Sequence, residues 1–129
     1  MDIKLVERSV TPNSLGKEEI HISNVKFSVK INTIGGKDGD FWIEVSPSLN
    51  VSGYGNTPEE AEKSFEHNLN LFAEDLNKLK LSERIKYLKE LGWDSQKLFK
   101  RRLSKAFVDE NGILQNLEHP KVKYFESVA

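Results

Sequence analysis

Between Gly53 and Phe65 the apolar period of the chain changes from two to about 3.6, and that change fixes its class. Upstream, the run from Ile20 to Ile34 places Val25, Phe27, Val29, Ile31 and Thr33 on one face and Lys26, Ser28, Lys30 and Asn32 on the other. This is a half-buried strand. The Gly-Gly-Lys-Asp-Gly-Asp segment, Gly35 to Asp40, turns the chain back. Phe41, Ile43 and Val45 then continue the buried face, with Trp42 and Glu44 outward, until Pro47 ends the strand. Leu49, Val51 and Gly53 oppose Asn50, Ser52 and Tyr54 in a third strand. Downstream, Ala61, Phe65, Leu69, Phe72, Leu76 and Leu79 recur at spacings of three or four, the stripe of a long amphipathic helix.

The residues at the switch explain how one period gives way to the other. Gly53 and Gly55 permit a bend or a positive φ where the strand turns. Thr57 is placed as an N-cap, and Pro58 follows at N1, where its missing N–H costs nothing. Glu60, at N3, completes a capping box by reaching back to the Thr57 amide. Glu59, Glu60 and Glu62 also suit the positive end of the helix dipole.

The flanks extend this unit. Ile3 to Val10 reads as a short strand and Thr11 to Lys17 as a loop. A second helix is expected over Ser82–Leu91, with Ile85, Leu88 and Leu91 inward and Gly92 as its C′ residue. A third is expected from about Ser95 to Phe107, and Val122, Tyr124, Glu126 and Val128 suggest a short terminal strand. The expected fold is therefore α+β. A small antiparallel meander carries a long helix on one face, and a mainly helical C-terminal extension packs on that core. The seam lies between residues 1–80 and 81–129.

With 129 residues the chain suits one sizeable core. It has no cysteine, which removes disulfides, thiolate nucleophiles and thiolate metal sites. No apolar run approaches the roughly 18 residues that span a bilayer, and the start lacks the apolar region of a signal peptide. A cytoplasmic protein with no membrane partner is the expectation. The net charge of −1 hides a block pattern. Residues 1–77 carry 7 Lys/Arg against 13 Asp/Glu, whereas residues 78–105 carry 10 against 3. A basic stretch beside an acidic front half suits self-contact or a charged partner.

The order of motifs resembles the HicB antitoxin family over about residues 25–76. Its marks are a hairpin, the aromatic strand Phe-Trp-Ile-Glu-Val-Ser-Pro-Ser-Leu, then Gly55-Asn56-Thr57, then Pro58-Glu59-Glu60-Ala61 opening a helix. The resemblance implies a reduced RNase H-like fold. It also implies a non-catalytic role, the neutralisation of a small basic RNA-cleaving toxin by occlusion. Many members add a C-terminal DNA-binding module, but this C-terminal half shows neither a helix-turn-helix nor a ribbon-helix-helix pattern.

The residues themselves favour binding over catalysis. RNase H chemistry needs acids converging on two metal ions, and the strand from Val25 to Ile34 contains none. The nearby acids are Asp38 and Asp40 in the turn, Glu44 on the outward face and the helix-start glutamates. His21, His67 and His119 are scattered, so no metal, cofactor or catalytic residue is expected. Strand parity groups Lys26, Ser28, Lys30, Trp42, Glu44 and Tyr54 on the face away from the long helix, as an interface for a second copy or a toxin-like protein. The alternative for that face is that the C-terminal segment folds back over Trp42. The acid-free run Lys97, Lys100, Arg101, Arg102 and Lys105 suits contact with nucleic-acid phosphates or, more simply, a solvated helix face. Three functions follow: an antitoxin-like interaction protein, an orphan HicB-fold protein with a structural or oligomeric role, and a divergent nucleic-acid-processing enzyme.

Overall fold

The computed structural model describes residues 3–9, 16–22, 27–94, 98–100 and 118–128. The fold is mixed α+β. Among the described residues eight antiparallel strands form one sheet: β1 (Lys4–Arg8), β2 (Glu19–Ile22), β3 (Phe27–Asp38), β4 (Phe41–Ser46), β5 (Val51–Gly55), β6 (Trp93–Asp94), β7 (Leu98–Lys100) and β8 (Glu118–Val128). Two helices, α1 (Pro58–Asn77) and α2 (Leu81–Glu90), lie between β5 and β6 in the chain.

β3 organises the sheet because it is long enough to serve two partners on one edge. Its first residues pair with β2, from Ile22↔Phe27 to Glu19↔Lys30. Its last pair with β4, from Ile34↔Val45 to Asp38↔Phe41. Neither strand covers the interval between, and there the Asn32 amide donates to the Glu18 carboxylate at 3.1 Å. The same Glu18 oxygen accepts from the Ser48 hydroxyl at 2.9 Å, so a buried side chain completes the ladder. The other edge of β3 is lined by β8, which lies between β3 and β1.

Two expectations change here. The single strand from Ile20 to Ile34 is a hairpin, β2 and β3. The turn expected over Gly35 to Asp40 is only Gly39 and Asp40, because β3 runs on to Asp38. Gly39, with φ 62°, takes the first central position that tight hairpins reserve for left-handed backbone. The two-residue turn pairs odd positions of β3 with even positions of β4, and a one-residue difference in register exchanges the faces.

The C-terminal half also differs from the helical extension expected for it. α2 forms, with Leu88 fully buried and Gly92 at φ 98° after it. The described part of the expected third helix, Leu98–Lys100, is a strand paired with β2 and β6. The remainder of that helix lies outside the described residues. The terminal strand has 11 residues and sits inside the sheet, so both sides of the seam near residue 80 contribute to one sheet.

The core fills the space between the sheet and α1. Ala61, Phe65, Leu69, Ala73 and Leu76 of α1 are buried, the last four in one cluster with Val29, Ile31 and Phe125. Phe72 is displaced from the expected stripe and stacks edge-on against Phe27. Arg84 of α2 caps the end of α1, donating to the carbonyls of Leu79 at 2.9 Å and Asn77 at 3.2 Å. Among the described residues no helix is long and apolar enough to cross a membrane.

Candidate functional site

The start of α1 is built by the residues singled out in the sequence. The Thr57 hydroxyl accepts from the Glu60 amide at 3.1 Å, and Pro58 is the first helical residue. The Glu60 carboxylate reaches back to the amide of Asn56, at 2.7 Å, one residue earlier than the expected Thr57. Gly53 and Gly55 serve close approach rather than a positive φ. A Cβ on Gly53 would strike the backbone of Phe65 and Ala61, and one on Gly55 would strike Glu60 and Ala61. These glycines show which way β5 faces: Val51, Gly53 and Gly55 toward α1, Ser52 and Tyr54 away.

Register then assigns the other strands. Glu44 pairs with Gly53, and Trp42 with Gly55. Both therefore face α1, contrary to the sequence expectation, whereas Phe41, Ile43 and Val45 share with Tyr54 the opposite face, which neither described helix covers (the uncovered face). Of the six expected interface residues, Ser28, Lys30 and Tyr54 lie on that face. Trp42 and Glu44 do not, and Lys26 lies outside the described residues. Ser28 and Lys30 are far from Tyr54, and Lys30 faces Glu19 at 3.8 Å. Trp42 is half-buried on the α1 side, and most of the C-terminal segment expected as its alternative cover lies outside the described residues. In the basic run, Lys97, Arg101, Arg102 and Lys105 lie outside the described residues, and Lys100 belongs to β7.

The uncovered face divides into two halves. Near β2 it is polar and satisfied: Arg8 pairs with Glu126 at 3.0 Å, and the Tyr124 hydroxyl donates to the Lys17 carbonyl at 2.6 Å. Asn32 exchanges two hydrogen bonds with the Gly16 backbone, at 2.7 and 2.8 Å. The half near the β3–β4 turn is apolar. Val122, Ile34 and Val45 form one cross-strand row, Ile43 and Tyr54 the next, and Phe41 the last. Ile34, Ile43 and Val45 are packed, but Phe41 is 54% exposed, Tyr54 56% and Val122 43%. Five exposed acids lie at this end of the sheet, and register puts Asp38, the cross-strand partner of Phe41, on this face. Asp38 ends β3 and Asp40 follows in the turn, whereas Glu59 and Glu60 belong to the first turn of α1 and Glu118 pairs with Lys37 on the α1 side. Lys37 and Lys121 are the bases beside them.

Behind the sheet, under α1, lies a buried charge cluster that the sequence did not reveal. The Lys123 ammonium of β8 sits 3.6 Å from the Glu44 carboxylate and bonds the Glu62 carboxylate of α1. Burial raises the Glu44 pKa above the ordinary carboxylate value, against the opposing pull of the Thr33 hydroxyl and Lys123. Burial alone would lower Lys123, but the Glu62 hydrogen bond and the two carboxylate charges raise it on balance. Gly35 makes room for the Glu44 carboxylate, since a Cβ there would come within 2.6 Å of Glu44 Oε1. Lys123 thus fills the space between two acids with a fixed cation. Among the described residues no group of three or more His, Asp or Glu side chains converges as a metal site.

No family model, curated protein or solved structure matches the chain.

Proposed function

We propose that the chain is a non-catalytic binding module whose uncovered sheet face docks a small basic protein. The observation that carries this reading is the exposure of Phe41 and Tyr54 around a packed apolar floor, at the end of the sheet where five acids are exposed. Aromatic anchors with an excluded-water rim are what interface hot spots are made of. The acidic end would steer a basic partner and speed its association. The resemblance over residues 25–76 supports a narrower form, an antitoxin occluding a basic RNA-cleaving toxin. An orphan relative that meets a second copy of itself through this face is the other form. Against an enzyme, Glu44 and Glu62 beneath the sheet are spanned by the Lys123 ammonium.

The test is a titration with the small basic protein encoded by the adjacent reading frame, at low and high salt. Tight binding that weakens with salt supports the toxin form. A neighbourhood without such a frame, together with dimerisation that Phe41→Ala abolishes, supports the orphan form. The absence of both binding and dimerisation overturns the proposal.

A further inference from the structure

The sequence of α1 contains two triplets, Ser64-Phe65-Glu66 and Asn68-Leu69-Asn70, four residues apart. Each places a buried apolar residue between two polar ones. Successive helical residues are about 100° apart, so Ser64 and Asn68 line one flank of the buried stripe, and Glu66 and Asn70 the other. Each flank reaches a different terminal strand of the part of the sheet that α1 covers.

On one side is β1, which among the described residues pairs only with β8. Its outward amides at Ile3 and Leu5 donate to Asn70 Oδ1 at 2.6 Å and to Glu66 Oε2 at 3.0 Å. Asn70 Nδ2 returns a bond to the Ile3 carbonyl at 3.1 Å. On the other side is β5, which among the described residues pairs only with β4. Its outward Tyr54 amide donates to Ser64 Oγ at 3.2 Å, and its Ser52 carbonyl accepts from Asn68 Nδ2 at 2.7 Å. The side chains stand where a further strand would bond.

We propose that these four side chains close both edges against strand addition, and that the β1 edge, once opened, takes β1 of a second copy. Unpaired strand edges are templates for another chain, and covering them with helical side chains is one way to blunt them. An antiparallel β1–β1 pairing would use the same Ile3 and Leu5 groups that α1 now holds. This role is independent of the uncovered face, which offers side chains and not backbone.

The experiment compares the wild-type chain with Glu66→Ala/Asn70→Ala by amide hydrogen exchange and sedimentation. The expected result is at least tenfold faster exchange at Ile3 and Leu5, with a concentration-dependent dimer absent from the wild type. Adding Leu5→Pro should abolish that dimer, because this proline removes an outward donor and no ladder bond. Ser64→Ala/Asn68→Ala, read at the Tyr54 amide, keeps the question answerable if the first variant does not fold. Wild-type protection at these amides, or lost protection with unchanged sedimentation at every concentration, overturns the proposal.

Discussion

The Lys123 ammonium on β8 stands 3.6 Å from the Glu44 carboxylate on β4, and its side chain is only 11% exposed. With Glu62 it ties the terminal strand to both β4 and α1. Removing one partner of a buried pair commonly costs about 3–5 kcal/mol, because the other charge is left uncompensated. Lys123→Met should therefore lower the unfolding free energy by that order at neutral pH, read as a lower denaturant midpoint at an unchanged slope. The loss should shrink in mild acid, where Glu44 takes up a proton. Equal losses at both pH values would mean that the ammonium contributes through packing alone.

The pH dependence of the parent has a defined sign. Glu44 has a folded pKa above its reference of 4.5, so the folded state holds its proton more tightly than the unfolded state. Its contribution to stability rises as pH falls through the folded pKa and levels off below the unfolded one. Glu44→Gln should flatten this segment of the stability profile. Lys123, raised above 10.5, contributes in the opposite region, and that contribution is lost as pH climbs through its folded pKa. Denaturant melts across the pH range check both.

Gly53→Ala tests the contact between β5 and α1. The new methyl meets backbone of Phe65 and Ala61, which has no rotamer by which to yield. Overpacking of this kind costs about 1–3 kcal/mol. Thr57→Ala should cost about 1 kcal/mol through the lost cap. In each case the midpoint should fall at an unchanged slope.

The elements that could be read from the sequence are those fixed by local chemistry. The Thr57-Pro58 start of α1, its buried positions Ala61, Phe65, Leu69 and Leu76, and the alternation of β3 depend on near neighbours. The facing of β4 was not readable in the same way. It depends on register: a turn of two residues, like one of six, sets even positions of β4 opposite odd positions of β3, and only a turn with an odd number of residues would put Phe41, Ile43 and Val45 on the face of Phe27, Val29 and Ile31; Gly35 and Gly36 looked like turn residues although they lie within β3. Gly35 is there because Glu44 needs the space, a contact between strands. The place of β8 depends on pairing over about ninety residues, for which local patterns carry no signal. Polar residues beside each buried position of α1 were the available clue to the edge contacts.

The central claim is that the uncovered face, and not the α1 side, recognises a basic partner. The most direct measurement is calorimetric titration of the adjacent-frame basic protein into the wild type, Phe41→Ala/Tyr54→Ala and Trp42→Ala, each shown to be folded. Loss of two anchors worth about 2 kcal/mol each corresponds to a weakening of several hundredfold or more. The account predicts a loss of that order for Phe41→Ala/Tyr54→Ala with a nearly unchanged melt. It predicts wild-type affinity for folded Trp42→Ala, whose cost falls on stability. Wild-type affinity in the Phe41→Ala/Tyr54→Ala variant, or lost affinity in folded Trp42→Ala alone, would contradict it.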